Sequence, residues 1–489
     1  MTMVATRRRA PAPALAPLEV VELPWIEVAG SYFQDDTGAA WTPIGYNDAL
    51  TWRELGPLYG RKDVEAADRH LRWLAEHGVT VIRMMLECAH QGKYLERPIG
   101  RFSRPVVQFW DDLVALCSRH GLRLMLTPYD TFWTWIRWAH HPLNREKGGP
   151  CSGPNQLLLC RDTRQAVRAR LAFMVQRWGG SGVVMSWDLW NEIHPAHADS
   201  CPDCVDVMNH FIAEMSEHVR TLETRLYGRS HPQTVSMFGP ELRQRPHLPL
   251  ADAVYRHPSL DFASTHIYMA GSIDDPVDTV AAAIDTGRLV REAMGEIRDG
   301  RPYLDTEHGP IHTFKDKNKT LPEVFDDEYF RHMQWAHLAS GGAGGGMRWP
   351  NRKVHKLTPG MRRAQQAVTG FLGLIDWPRF ERRNLNHEIQ LGSLGLTVCG
   401  CGDETRAVVW LLRTDSLAPD GRVRTDAEPL VTRVGVPGLQ PGRYSVVAWD
   451  TRAGAEHARA EVAVTGDDGL WIENVSVTTD LALAIRRRE

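Results

Sequence analysis

The sequence predicts an α/β fold, a (β/α)8 TIM barrel followed by a C-terminal antiparallel β-sandwich. Three observations carry this expectation. Short apolar runs alternate eight times with helix-patterned segments between Trp41 and Ile375. Several of these runs end abruptly in polar groups, as in Trp190-Asn191-Glu192, and the C-terminal ends of the strands are where a parallel barrel collects its reactive side chains. After Trp377-Pro378 the pattern changes to short strand-like runs separated by turn residues. The expected division is a disordered tail over 1–28, a barrel over 29–378 and a sandwich over 379–489.

Taken in order, Trp41–Asn47 reads as the first barrel strand. Asp63–His77 reads as a helix, with Val64, Ala67, Leu71 and Leu74 on one face and Gly78 as its stop. Val79–Met85 is the second strand and carries Arg83, a charge that needs a partner if it is buried. Val106–His120 is a helix, and Leu122–Thr127 is the third strand, delivering Tyr129 and Asp130 just past its end. A long loop follows with Trp133, Trp135 and Trp138, a length that points to a lid or a binding wall. Asp162–Trp178 is a helix, and the run beginning at Val183 is the fourth strand, ending at Glu192. The remaining strands are Thr234–Phe238, Leu260–His266, Arg301–Glu307 and Gly344–Trp349. Helices over Cys204–Leu226, Val277–Arg298, Glu328–Ser340 and Thr358–Ile375 complete the alternation. In the C-terminal region, Ala407–Leu412, Tyr444–Trp449 and Leu481–Ile485 read as sandwich strands.

Composition narrows the function classes. A 43% hydrophobic and 24% charged chain of formal net charge −3 offers no basic surface for nucleic acid or anionic membranes. No apolar stretch is long enough to span a membrane, and prolines interrupt any signal-peptide core after Arg7-Arg8-Arg9. The expected compartment is therefore the cytoplasm. Seventeen Trp residues, several near strand ends, suit stacking on sugar rings as well as packing in the core.

The cysteines are unevenly placed. Cys88 and Cys117 lie in apolar segments, and Cys399 and Cys401 in an expected turn. Cys201-Pro-Asp-Cys204 has the spacing of a zinc knuckle, and Cys151 with Cys160 would complete a four-thiolate structural zinc site. Free thiols or a disulfide fit the same spacing.

Glu192 and Glu307 stand at the ends of the fourth and seventh strands, across one barrel mouth. Two carboxyl groups about 5–5.5 Å apart are what cleavage of a glycosidic bond with retention requires. One attacks the anomeric carbon; the other protonates the leaving oxygen and then deprotonates water. Their pKa values must be pushed apart by different surroundings.

With those residues in place, the chain resembles the clan A glycoside hydrolases, in particular the barrels of family 5 (cellulase- and mannanase-like). The motifs are Trp190-Asn191-Glu192, His266-Ile-Tyr268 and Asp305-Thr-Glu307 with Gly309, together with Arg83 and Trp349. The resemblance covers roughly residues 29–378. It implies that Glu192 is the general acid/base and Glu307 the nucleophile. It further implies that Asn191 binds the sugar 2-hydroxyl, that Tyr268 and Arg83 hold Glu307 ionised, that His266 lies near the acid/base, and that Trp349 forms a stacking floor. Asn47 ends the first strand and joins the candidate substrate-binding set. Many family 5 members carry a His after the third strand; this chain has Thr127-Pro-Tyr129-Asp130, so Asp130 or Tyr129 would contact sugar hydroxyls instead.

The resulting expectation is a retaining β-glycoside hydrolase, exo-acting on β-mannosides or related short β-glycosides. It would act on a carbohydrate substrate with no required cofactor. Endo-mannanase or glucanase, glucosidase, galactosidase or transglycosylase action on the same scaffold, or a non-catalytic carbohydrate-binding barrel, are the alternatives.

Overall fold

The computed structural model describes residues 18–48, 53–199, 201–269, 276–310, 320–350, 356–466 and 469–488. Eight parallel strands form the barrel: β1 (Gly45–Asp48), β2 (Val81–Met85), β3 (Arg123–Thr127), β4 (Val184–Asp188), β5 (Gln233–Phe238), β6 (Ala263–Ile267), β7 (Tyr303–His308) and β8 (Met347–Arg348). β5 is interrupted at Val235 and changes partner there. Its first half pairs with β4 (Trp187 with Gln233) and its second half with β6 (Ser264 with Ser236), which closes the ring. Strands buried on both faces read as continuous apolar runs, which is why the sequence gives them away.

The helices follow from their capping and spacing. Asp63 accepts from the Ala66 amide and starts Val64–Glu76, whose Ala67, Leu71 and Leu74 are buried against the barrel. The helix is followed by Gly78 at φ 76°, where a Cβ would also collide with Thr369, so the residue is required twice over.

The expected tail boundary at residue 28 falls inside a structured element. Residues 1–17 lie outside the described residues, but Ile26–Ala29, Tyr32–Asp35 and Ala40–Trp41 form an antiparallel ribbon. Ile26 and Phe33 insert among Val81, Met125, Met185, Phe262, Leu304 and Met347 and plug the N-terminal end of the barrel. Only Gly45–Asp48 of the expected first strand belongs to the barrel, because Ala40–Trp41 pairs with the ribbon.

The C-terminal region is a sandwich of a six-stranded antiparallel sheet on a three-stranded one. The larger sheet includes Leu396–Gly402, Arg406–Arg413, Gly442–Asp450, Ala455–Val464 and Asp480–Arg487. Cys399 and Cys401 are not in a turn: they lie in Leu396–Gly402, buried, with burial pushing their thiols up to about 11 and about 12. Trp410 and Trp449 of the sandwich pack with Trp335 and Phe371 of two barrel helices. Arg331 of the helix Glu323–Ala339 donates to Asp480 at 2.8 Å, and Glu328 accepts from the Val423 amide at 2.8 Å. Among the described residues no helix is long and apolar enough to cross a membrane.

Candidate active site

The polar groups expected at the strand ends converge at the C-terminal mouth of the barrel, on Arg83. This guanidinium in the middle of β2 is 1% exposed and needs several acceptors to be tolerated there. Its Nη2 donates to Asp188 at 2.6 Å and to Asn191 Oδ1 at 2.5 Å, and its Nη1 donates to Asn47 at 2.7 Å and Glu307 at 3.2 Å. Asn47 in turn donates to the carbonyls of Thr306 and Met347, tying β1 to β7 and β8.

Glu192 follows β4 with a left-handed backbone at φ 51°. Such strain in a non-glycine residue persists only where the surroundings enforce it. Here Ser236 Oγ accepts from the Glu192 amide at 3.1 Å, and His266 Nδ1 lies 2.8 Å from Glu192 Oε1. Glu307 sits opposite His266 because the pairing of β6 and β7 shifts register between Thr265 and His266. Tyr268 donates its hydroxyl to Glu307 Oε1, and His266 Nδ1 is 3.8 Å from Glu307 Oε2. Ligand-capable atoms of Glu192, His266 and Glu307 all lie within 4.8 Å of one another. Such a trio could hold a cation, but Arg83, Tyr268 and His266 already supply positive charge and hydrogen bonds to its two carboxyl groups.

The two glutamates sit in different electrostatic surroundings. Burial pushes the Glu192 carboxyl up to about 7; the negative charges of Asp188 and Glu241 add to this, and Arg83 opposes it. Burial also raises Glu307, and the proximity of Glu192 reinforces that rise. His266, Arg83 and the Tyr268 hydrogen bond pull the other way. Tyr268 and Arg83 thus do favour the ionised form, as expected, but burial outweighs them. Burial lowers His266 to about 4, so the ring is neutral near pH 7. With its proton on Nδ1 it donates to Glu192; with the proton on Nε2 it accepts from a protonated Glu192.

Asp130 and Tyr129, adjacent in sequence, sit in different surroundings from each other. Asp130 caps the helix Thr131–Ile136 through the Trp133 amide and accepts from Asn191 Nδ2 at 2.5 Å, so it positions Asn191. Tyr129 is buried, stacked on Trp190 at 5.1 Å with the Arg170 guanidinium 4.4 Å from its ring centre. Trp349 is half-buried, and its amide donates to the His308 carbonyl at 3.0 Å.

Cys151, Cys160, Cys201 and Cys204 are free thiols. Cys151 and Cys160 donate to the carbonyls of Gly153 at 3.0 Å and Pro150 at 3.7 Å. Among the described residues, the glutamate–histidine trio is the one set of three metal-capable side chains within 4.8 Å, and the four thiols do not form such a set.

Two residues of the site were not anticipated, Asp188 and Ser236. Asp188 accepts from Arg83, from the Ser236 amide at 3.0 Å and from Ser236 Oγ at 3.0 Å. The signal for Asp188 existed, since a buried Arg83 demands a carboxylate and Asp188 is the acid within the fourth strand. Nothing in the sequence marks Ser236.

No family model matches the chain. Over 219 residues it is 24% identical to mannan endo-1,4-beta-mannosidase 7 of Arabidopsis thaliana, covering 40% of this chain and 47% of that protein. Over 280 residues it is 25% identical to mannan endo-1,4-beta-mannosidase 2 of the same plant, covering 51% of this chain and 61% of that protein. The chain thus spans about half to three fifths of the length of these relatives. A solved structure of a glycoside hydrolase family 5 protein from Bacteroides vulgatus ATCC 8482 superposes with a TM-score of 0.59 at 10% identity, covering 95% of this chain and 94% of that one. This likeness is one of fold and extends over barrel and sandwich together.

Proposed function

We propose that the chain is a retaining β-glycoside hydrolase acting on β-mannosides. The observation that carries this reading is the pairing of Glu192 with Glu307, their nearest carboxyl oxygens within 4.8 Å and their surroundings unequal. That proximity suits the direct attack of a retaining pair. Glu307, the carboxyl with three stabilising partners, attacks the anomeric carbon. Glu192, raised to about 7, gives its proton to the leaving oxygen and later takes one from water.

Asn191 is held at both ends of its amide, by Arg83 and Asp130, and keeps one N–H for the sugar 2-hydroxyl. His266 supports Glu192, and Trp349 provides the stacking floor. The mechanism requires no cofactor. The mannoside assignment is supported by the names of the two plant relatives. Action on chain ends or short glycosides fits the length of the segment 128–160 after β3, long enough to close one end of a cleft. Endo action on a mannan is the second reading, favoured because both relatives are named endo-enzymes.

The test is hydrolysis of aryl β-mannoside, glucoside, galactoside, xyloside and fucoside by wild type and Glu307→Ala. Activity on one sugar, abolished in the variant and rescued by azide with an inverted glycosyl azide, supports both the nucleophile and the sugar. If aryl glycosides, disaccharides and mannan all stay intact, the hydrolase reading fails and the non-catalytic binding barrel takes its place. Chain-length analysis of mannan products separates exo from endo action.

A further inference from the structure

Glu192 sits on a backbone turn that a regular strand does not make, and one residue accepts from both amides of that turn. Asn191 pairs with the β3 side: its amide donates to the Tyr129 carbonyl at 2.8 Å, and its carbonyl accepts from the Thr131 amide at 3.1 Å. The next two amides, of Glu192 and Ile193, both face β5. They donate to Ser236 Oγ at 3.1 Å and to the Ser236 carbonyl at 3.0 Å. Successive amides aimed the same way form a nest, which needs a left-handed residue, and Glu192 supplies it at φ 51°. A residue with a Cβ disfavours that region, so the turn lasts only while its acceptors stay in place.

The Ser236 hydroxyl is used to capacity. A hydroxyl has one donor and two acceptor sites. Here it donates to Asp188 Oδ2 at 3.0 Å and accepts from the Glu192 amide and from Arg83 Nη2, the latter at 3.2 Å. The Ser236 amide donates to the other oxygen of Asp188 at 3.0 Å, which fixes the residue from its backbone as well. Ser236 is fully buried. Alanine in its place would leave the Glu192 amide without that acceptor, and the strained turn could then relax and carry the carboxyl away. Arg83 reaches Glu307 through its other terminal nitrogen, so a single guanidinium links this hydroxyl to the second carboxyl. We propose that Ser236 is the positioning residue of the acid/base: its hydroxyl and carbonyl together fix the turn that aims Glu192 at the leaving oxygen. The proposal rests on the hydrolase reading above.

The experiment compares wild type, Ser236→Ala, Ser236→Cys and a control, Thr234→Val, on 2,4-dinitrophenyl β-mannoside, phenyl β-mannoside and β-1,4-mannobiose. Thr234 is buried two residues earlier in β5, and its hydroxyl donates to the Phe262 carbonyl at 2.9 Å. It reports what loss of a buried hydroxyl does by itself. A dinitrophenolate leaves without a proton, whereas a sugar alkoxide needs one from Glu192. In Ser236→Ala, kcat/KM for mannobiose and the phenyl mannoside should fall about 30- to 100-fold, the order lost when a reacting group moves by about 1 Å. The dinitrophenyl mannoside should stay within about threefold. Azide should speed its turnover and give a mannosyl azide of retained configuration, because azide attacks the glycosyl-enzyme without a base. Ser236→Cys, similar in size and a weaker hydrogen-bonder, should show the same pattern to a smaller degree. A merely structural loss would lower all three substrates alike, as in Thr234→Val. Equal losses on every leaving group, or an undiminished rate on mannobiose, would overturn the proposal and leave the hydrolase reading intact. A crystal structure of Ser236→Ala gives a readout apart from activity, with Glu192 expected outside the left-handed region. If wild type cleaves no glycoside, the hydrolase reading falls and that structure decides alone. Glu192 displaced upholds Ser236 as the clamp on its turn, and Glu192 unmoved removes it.

Discussion

Two buried arginine–aspartate pairs anchor this molecule, and they do opposite things. At the junction of barrel and sandwich, Arg331 meets Asp480 at 2.8 Å; in the barrel mouth, Arg83 meets Asp188 at 2.6 Å. Asp480 also accepts from Trp410 and Thr451, and despite its burial its carboxyl is held well below the ordinary range by Arg331, His332 and the Thr451 hydroxyl. In the mouth one guanidinium is divided among Asp188, Glu307, Asn47 and Asn191, and Glu192 and Glu307 are both raised. The difference lies in the number of donors per carboxylate. Where donors suffice, burial gives a fixed charge that locks two domains together. Where they fall short, burial raises the carboxyls, Glu192 to about 7, which is what acid–base chemistry needs.

The largest expected effect separates the two regions most sharply. Glu307→Gln should lower kcat by about 10³-fold or more with little change in unfolding free energy, measured by steady-state kinetics and urea denaturation. Asp480→Ala should do the reverse. Leaving Arg331 buried without its partner should cost about 3–5 kcal/mol in the same denaturation experiment, with the pH dependence of kcat unchanged in the folded protein. Loss of activity at unchanged stability in the second variant would end the comparison.

A third expectation concerns pH. Glu192 must carry a proton and Glu307 must not, so kcat/KM should be bell-shaped, falling as pH rises through about 7 and falling again in acid. The two limbs belong to the coupled pair. Stability should respond in opposite directions in the two regions. The raised Glu192 contributes stability that is complete at low pH and lost as pH rises through about 7. The depressed Asp480 contributes stability present above the unfolded value of about 3.9 and lost as pH falls toward its folded value. The smallest effect is expected from Glu241→Gln. Removing a negative charge that raises Glu192 should move the alkaline limb to lower pH by a few tenths of a unit, seen in the same profile.

The barrel was legible because parallel strands buried on both faces must be continuously apolar, and because helices between them must show one apolar face. Glu192, Glu307, His266, Tyr268 and Arg83 were legible because each interrupts that pattern at or near a strand end. The interruption names the residue but not its neighbours. Asp130 and Tyr129 follow the same strand side by side, yet one caps a helix and holds Asn191 while the other stacks on Trp190. No local pattern distinguishes them, since the difference is set by Trp190 and Arg170, which are remote in sequence. The ribbon that plugs the barrel floor was missed for a related reason. Its strands are four residues or fewer, and their apolar residues acquire meaning only against Phe262 and Leu304.

The aromatic seam between the domains bears on how such a protein can evolve. Trp335 and Phe371 point outward from the barrel helices into Trp410 and Trp449 of the sandwich. A barrel cut free at residue 378 would present these rings to water, so it is not a portable cassette that recombination can move alone. The sandwich and the outer face of two barrel helices form a single heritable unit. Changes in the loops at the barrel mouth leave that seam intact, whereas removal of the sandwich uncovers it.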